Sequence, residues 1–431
     1  MFLIRIYGII FSSRETFLSP PKAFVFSAFA ASLQVKRGIE MRSSNLKTTI
    51  FFEGNALARL AKLEYKKVFI IADPFIVSSG LINAVTKHLK AANIEYKVYS
   101  DVIPDPTTDK VVSGVTALVS EMSPCIIAVG GGSAIDLAKC VRLFARNLHP
   151  DYAPRFIAIP STSGTGSEVT SFAVISDPKK NIKHALVDDF LLPDEAILDV
   201  EMVKSVPATI TADTGLDVLA HALEAYVSTE ADYFSDMYAE KATSLCKHYL
   251  VRSYNYPKTH ENKAREKMHI ASCLAGIAFN AVSLGICHSI AHQLGAQFHI
   301  PHGRANAIVL PDVIGFNSSI NENTFALKDP VPCVSKYANM SRRIGLIGYD
   351  DVACVKALAY YIRSMQVEMG MPTCVREAVP DLTYEQYAAK LDAMAEAALL
   401  DTCTKTNPRK PTKQDIVRIL KKIWNNDINP Q

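Results

Sequence analysis

A chain of 431 residues with 49% hydrophobic and 21% charged side chains has the make-up of an ordinary folded protein, at a length that favours two cores over one. Its formal net charge of +3 sits entirely in residues 1–40, where five basic side chains face two acidic ones; from Met41 onward 41 of each sign cancel. A balanced chain lacks the electrostatic footprint of a nucleic-acid binder or a membrane-surface protein, so neither partner is expected. The nine cysteines are spread singly, with no Cys-x-x-Cys pair, which argues for reduced thiols in a cytoplasm-like compartment. Cys287, although beside His288, reads as a small buried hydrophobe.

In chain order, residues 1–40 come first and fit no folded pattern. MFLIRIYGIIF is broken by Arg5, and FVFSAFAASLQ is too short to span a bilayer. A signal peptide would have its apolar core split by RETFLSPPK, and a basic targeting segment is a second reading. We take 1–40 as an extension, with the folded protein starting at MRSSNLKTTIFFEG.

From about 47 to 200, β-branched runs alternate with helical stretches. The strands KKVFIIAD, IEYKVYSDV, PCIIAVGGGS and RFIAIPSTSG are interleaved with SGLINAVTKHLKAAN, DKVVSGVTALVSEM and AIDLAKCVRLFARN. This order predicts a parallel sheet covered by helices, a Rossmann-like α/β domain. After about 205 the pattern turns helical throughout: ITADTGLDVLAHALEAYVST, FSDMYAEKATSLCKHYLV, KAREKMHIASCLAGIAFNAV, DDVACVKALAYYIRSMQVEM, TYEQYAAKLDAMAEAALLD and TKQDIVRILKKIW. The expected organisation is therefore an extension at 1–40, an α/β dinucleotide-binding domain at 41–204 and an all-helical metal-binding and catalytic domain at 205–431, with a cleft between the last two.

Two glycine-rich turns follow strands. Gly130-Gly131-Gly132-Ser133 opens a helix, whose unpaired N–H groups and positive dipole end suit a phosphate. It lacks the third glycine of a full fingerprint, since Ile135 stands there. Pro160-Ser161-Thr162-Ser163-Gly164-Thr165-Gly166-Ser167 adds hydroxyl donors, and the two turns together point to a pyrophosphate site. Asp73 closes the first strong strand, where an acid either binds a ribose diol and selects NAD over NADP, or simply caps the turn before Pro74.

The helical half carries the metal-like residues. Asp217 and His221 are four apart, as are His288 and His292, and each pair falls on one helix face. Four of the eleven histidines crowd into GICHSIAHQLGAQFHIPHG (285–303). Three or more such ligands from separate helices suit a divalent transition ion such as Fe²⁺ or Zn²⁺. By spacing alone His288 and His292 are the natural ligand pair, with His299 and His302 as loop residues around Pro301.

Taken together, GGGSAIDLAK, PSTSGTGSEVTSFAVISD, DTGLDVLAHALEAYVS and GICHSIAHQLGAQFHIPHGRANAIVLPDVI resemble the iron-containing, group III alcohol dehydrogenases, within the dehydroquinate synthase-like superfamily. The resemblance runs in order from about 47 to TNPR (406–409) and, through ISDPKKNIKHALV and HQLGAQFHIPHG, is similar in flavour to the microcompartment-associated 1-propanol dehydrogenases. It implies a metal-dependent, NAD(H)-linked oxidoreductase that interconverts a short-chain primary alcohol (propanol or ethanol) and its aldehyde, a cytoplasmic homodimer, and partners in a bacterial microcompartment shell or its enzymes. It also implies metal ligands at Asp217, His221, His288 and His302, which moves the partner of His288 fourteen residues along and leaves His292 for proton transfer. Cofactor positions implied are Asp73, Gly131, Gly132, Ser133, Ser161, Thr162 and Lys183; Phe279 and Cys403 are implied to line the alcohol pocket. His299 is left to packing or to supporting the site. A polyol dehydrogenase (glycerol, lactaldehyde/1,2-propanediol) or a dehydroquinate-synthase-like lyase is the near alternative. A metallohydrolase would use the same Asp/His set without needing the glycine-rich turns and Asp73. A non-catalytic interaction protein would rest on residues 1–40, as a microcompartment tag.

Overall fold

Buried strands of a helix-covered sheet need no polar alternation, and β-branched runs satisfy that demand. In the structure, a computed structural model that describes residues 44–178, 182–320 and 333–425 (without the side chains of Ile182 and Lys183), eight strands form: β1 (Thr49–Phe52), β2 (Lys67–Ala72), β3 (Glu95–Tyr99), β4 (Cys125–Gly130), β5 (Arg155–Pro160), β6 (Phe172–Asp177), β7 (Ile182–Val187) and β8 (Glu195–Leu198). Six of them make one sheet in the order β1-β8-β5-β4-β2-β3, every pairing parallel. The extension assigned to residues 1–40 lies outside the described residues.

Alternate side chains of each strand feed two separate cores. Val68, Ile70, Ile127, Val129 and Ile157 pack on one face with α1 (Asn83–Ala91), through Val85 and Leu89. On the other face Phe69, Ile71, Ile126, Ala128 and Phe156 meet α2 (Thr108–Glu121) and α3 (Gly132–Leu148). The connection from β2 to β3 runs to one side and the return to β4 crosses to the other. The carboxyl ends of β2 and β4 thus flank the point where strand order reverses, the crevice in which open α/β sheets bind ligands.

The second half is helical: α4 (Ala208–Val227), α5 (Tyr233–Tyr254), α6 (Asn262–Val282), α7 (Ile286–Phe298), α8 (His302–Asn317), α9 (Cys333–Arg343), α10 (Asp351–Glu368), α11 (Leu391–Leu400) and α12 (Lys413–Lys422). α4 is the central one, with every residue from Gly215 to Val227 buried. A helix buried all round is a core helix, so polar residues within it must find partners inside the protein. Among the described residues no single helix is long and apolar enough to cross a membrane.

The structure departs from the sequence reading in three places. β1 and β8 extend the sheet, although their short runs carry little periodic signal. β6 and β7 form an antiparallel two-stranded ribbon that interrupts the βα alternation. TYEQYAAKLDAMAEAALLD, expected as one helix, divides into Tyr384–Ala388 and α11. Ala389 and Lys390 form the turn between them, and just before it Tyr387 is fully buried, stacks on Trp424 at 4.9 Å and donates its hydroxyl to Leu420 O at 2.8 Å.

The two halves meet backbone to backbone. Gly166, in the turn after β5, is left-handed (φ 62°), and a Cβ built on it would stand 2.6 Å from Gly276 Cα on α6. A Cβ on Gly276 would stand 2.9 Å from Gly166 Cα and 2.7 Å from Val169 Cγ2. Backbone cannot swing aside as a flexible side chain can. Gly276→Ala is therefore expected to lower stability by about 1–3 kcal/mol, measured as a lower denaturant midpoint at unchanged slope; an unaltered midpoint would show that the contact is not a tight one.

Candidate metal centre

The polar face of α4 builds the site. Asp217 and His221 lie one turn apart on it, and Glu224 follows on the same side of the helix. α7 brings His288, and α8 brings His302 as its first residue, directly after Pro301 at the cap. Ligand-capable atoms of Asp217, His221, His288 and His302 all lie within 4.8 Å of one another. Asp217 Oδ1 is 3.7 Å from His288 Nε2 and 3.6 Å from His302 Nε2. Gly303 makes this approach feasible, since a Cβ there would sit 2.2 Å from Asp213 O on α4. Arg304 then clamps the same Asp213 through both carboxylate oxygens, at 3.1 and 3.0 Å.

The donor set fits a divalent transition ion. His288 Nε2 and His221 Nδ1 are buried without a hydrogen-bond partner among the described residues, a costly state for an imidazole nitrogen unless something binds it. Burial, reinforced by the neighbouring imidazoles of His221 and His302, pushes the pKa of His288 well down, so its ring is neutral and able to ligate. Burial alone would raise the Asp217 carboxyl, but His221, His302, His288 and the Asn306 amide outweigh it and hold Asp217 below its ordinary range. Asn306 donates to Asp217 Oδ1 at 2.7 Å. One carboxylate and three imidazoles on three helices make a four-ligand N/O site.

Glu224, which spacing arguments passed over, orients the site from behind. His288 Nδ1 donates to its Oε2 at 2.5 Å, and Cys287 N donates to its Oε1 at 2.7 Å. Burial pushes the Glu224 carboxyl up to about 7, against the pull of the Cys287, Gly285 and His288 backbone N–H groups. A ring nitrogen committed to a carboxylate fixes the other for ligation. Its sequence signal was its place three residues after His221 and seven after Asp217, on the same face. Cys287 is fully buried, with Sγ against Asn306, and burial pushes its thiol far up, as suits an inert side chain.

His292 stands beside this cluster and outside it. Its ring stacks on His302 at 5.4 Å and lies 6.3 Å from the His288 ring; Nδ1 donates to Asp401 Oδ2 at 2.8 Å. The i,i+4 pair His288/His292, natural by spacing, is thus split, because α8 delivers His302 to the position facing Asp217. His302 is helical, not a loop residue. His299 is the left-handed C-cap of α7 (φ 55°) and is exposed, so it neither packs nor supports the cluster. Phe279 is buried with its ring on that of His221 at 4.4 Å. Cys403 is half-buried in the 3-10 turn Thr402–Thr406 and donates its N–H to Asp401 Oδ1 at 2.9 Å.

All the cofactor candidates except Lys183 lie at the carboxyl ends of β2, β4 and β5. Ser161 N donates to Gly130 O at 2.9 Å, and Cβ atoms built on Gly131 and Gly132 would lie 3.5 and 2.9 Å from Thr162 and Thr165, so the two glycine-rich turns abut. α3 opens at Gly132 and Ser133, and among the described residues no side chain caps its first N–H groups. Asp73 lies across the crevice at the end of β2, its Oδ1 accepting from Phe75 N at 2.9 Å as the cap of the short helix Pro74–Ser78. The capping role is thus realised through one oxygen. Lys183 is on β7, opposite Ser176, and its side chain lies outside the described ones. The second glycine-rich turn also touches α4: a Cβ on Gly164 would lie 2.7 Å from Thr214 Cβ, one turn before Asp217. One helix therefore links the phosphate-type crevice to the metal-type cluster.

Residues 47–200 match the family model for iron-containing alcohol dehydrogenase, and residues 211–424 match that for the C-terminal part of the Fe-containing alcohol dehydrogenase family. The chain is 41% identical over 385 residues to the 1-propanol dehydrogenase of Citrobacter freundii, covering 89% of this chain and 100% of that protein. It is 36% identical over 401 residues to the NADPH-dependent butanol dehydrogenase of Clostridium saccharobutylicum, covering 89% and 98% respectively. Its fold superposes on the sulfoacetaldehyde reductase of Bifidobacterium kashiwanohense, solved in complex with NAD⁺, with a TM-score of 0.76 at 26% identity over 90% of this chain and 100% of that one. The chain belongs to the iron-containing alcohol dehydrogenase family.

Proposed function

We propose that this oxidoreductase interconverts a short-chain primary alcohol, of ethanol to propanol size, with its aldehyde by hydride exchange with NAD(H), using Fe²⁺ (or Zn²⁺) held by Asp217, His221, His288 and His302. The observation that carries this reading is the convergence of those four side chains on a cluster whose central helix also carries Thr214, against the glycine-rich turn. The propanol and butanol dehydrogenases among its relatives support the substrate size. An ion held by these four residues would supply Lewis acidity toward the substrate oxygen.

The chain's own residues supply the rest. Gly131, Gly132, Ser133, Ser161 and Thr162 hold the pyrophosphate at the head of α3, and Lys183 on the ribbon completes the cofactor set. Asp73, with one carboxylate oxygen beyond its capping bond, takes the ribose diol and repels a 2′-phosphate, which favours NAD. Phe279, against the His221 ring, and Cys403 line the alcohol pocket and exclude water. Glu224 keeps the His288 proton on Nδ1. His292, its Nδ1 committed to Asp401, exchanges the alcohol proton with solvent through Nε2.

In the cell we place the enzyme in the cytoplasm as a homodimer, within a bacterial microcompartment. We set the boundary between its dinucleotide-binding and metal-binding domains at 204/205, in the stretch between β8 and α4.

An anaerobic assay of Fe²⁺-reconstituted protein, with NADH or NADPH oxidation followed against acetaldehyde, propanal, butanal and lactaldehyde, tests the reading. Metal-dependent turnover with a simple aldehyde and a preference for NADH are expected, and no metal-dependent turnover with any of the four would overturn it. His292→Ala should lower kcat by roughly a hundredfold while bound metal stays near stoichiometric; loss of metal would instead make His292 a ligand. Glu224→Gln should weaken metal affinity by about 10–100-fold at unchanged NAD affinity, read by chelator competition and equilibrium dialysis.

A further inference from the structure

Asp401 lies 109 residues beyond His292 and reaches it with a geometry too well supported to be incidental. Its two oxygens are both engaged: Oδ2 accepts from His292 Nδ1 at 2.8 Å, and Oδ1 accepts from Cys403 N at 2.9 Å, capping the turn Thr402–Thr406. That turn is in turn pinned to the start of α7. Thr404 Oγ1 donates to Ser289 Oγ at 2.8 Å, Thr406 Oγ1 donates to Leu284 O at 2.6 Å, and Ile286 N donates to Asn407 Oδ1 at 3.1 Å. The carboxylate is therefore held in fixed register with the helix that carries His292. The Asp401 side chain is 16% exposed and the His292 side chain 42%, so a shielded acid grips one edge of a partly exposed ring.

A neutral imidazole carries its proton on one nitrogen only, and the group hydrogen-bonded to the ring decides which. A carboxylate can only accept, so it fixes the proton on Nδ1 and leaves Nε2 as the lone-pair nitrogen. We propose that Asp401 is a positioning residue for proton exchange: it locks the His292 ring with Nδ1–H inward, leaving Nε2 as the atom that takes up and releases the substrate proton. The step balances within the ring, with a proton arriving at Nε2 from the alcohol and leaving from Nε2 to solvent, while Nδ1–H never moves. This rests on the role given above to His292. It adds the residue that sets the ring's tautomer, which no local pattern in the sequence marks.

Two substitutions separate this role from a purely structural one. Asp401→Asn keeps the size and the cap acceptor for Cys403 N–H, but its amide N–H₂ can face His292 and drive the proton to Nε2. Asp401→Ala removes the cap and leaves the tautomer free. If Asp401 acts through the tautomer, Asp401→Asn lowers kcat by roughly a hundredfold, at least as much as Asp401→Ala, with metal content and KM for NADH unchanged. It then has no further effect in a His292→Ala background. If it only holds the turn, Asp401→Asn is nearly silent, Asp401→Ala is the worse variant, and losses add to those of His292→Ala; that pattern would overturn the proposal. An activity-independent readout is NMR of isotope-labelled histidine ring nitrogens in the zinc-loaded protein. The His292 signal should report Nδ1–H in the wild type and its loss in Asp401→Asn. Wild-type protein without turnover would count against the dehydrogenase reading alone, and an Nε2–H tautomer in wild type against the Asp401 role alone.

Discussion

Everything at the site depends on one constraint: α4 buries Asp217, His221 and Glu224 along a single face of a core helix. A carboxylate and an imidazole removed from water are costly unless each finds a partner, and an isolated helix has none to offer. The partners come from α7 and α8. Glu224 takes His288 and Cys287 N–H, Asp217 takes Asn306 and faces His288 and His302, and Arg304 closes on Asp213. The same polar residues that would destabilise a plain core thus specify how three helices dock. A divalent ion is the natural completion of that arrangement.

The second constraint is contact between backbones. Glycine-rich turns are commonly explained by the phosphate they approach, and in the structure Gly131 and Gly132 stand at the head of α3. Gly164 and Gly166 serve a different purpose, letting the turn after β5 lie directly on Thr214 of α4 and Gly276 of α6. The crevice at the sheet edge and the cluster on α4 are thereby coupled through rigid elements. Hydride exchange needs that coupling, since the nicotinamide and the substrate carbon must meet in a fixed geometry.

Much of this was legible in the amino-acid order. Alternation of β-branched runs with helical stretches marked the parallel sheet, because strands buried on both faces leave an apolar signature. Asp217 with His221 was visible as an i,i+4 pair, and the two glycine-rich turns by composition. The β6–β7 ribbon was less visible, being half-exposed and so lacking the continuous apolar run of the sheet strands. Glu224 could have been found by following the α4 face one turn further. Asp401 had no comparable signal, since its relation to His292 spans 109 residues and exists only once the turn Thr402–Thr406 is pinned to α7.

By itself, then, the sequence determined the types of the strongly periodic elements, the two-part organisation and the chemistry on offer, since these follow from local periodicity and side-chain type. Resemblance of its motifs to a family named the four-residue cluster without explaining it. What only the tertiary structure decided was which histidine faces Asp217. Helical spacing made His288 and His292 equivalent candidates for one ion, yet the close approach at Gly303 sets His302 against Asp217, and Asp401 draws His292 away to the rim. Spacing along one helix says which side chains share a face. Only the packing of a second helix and a distant turn says what that face meets.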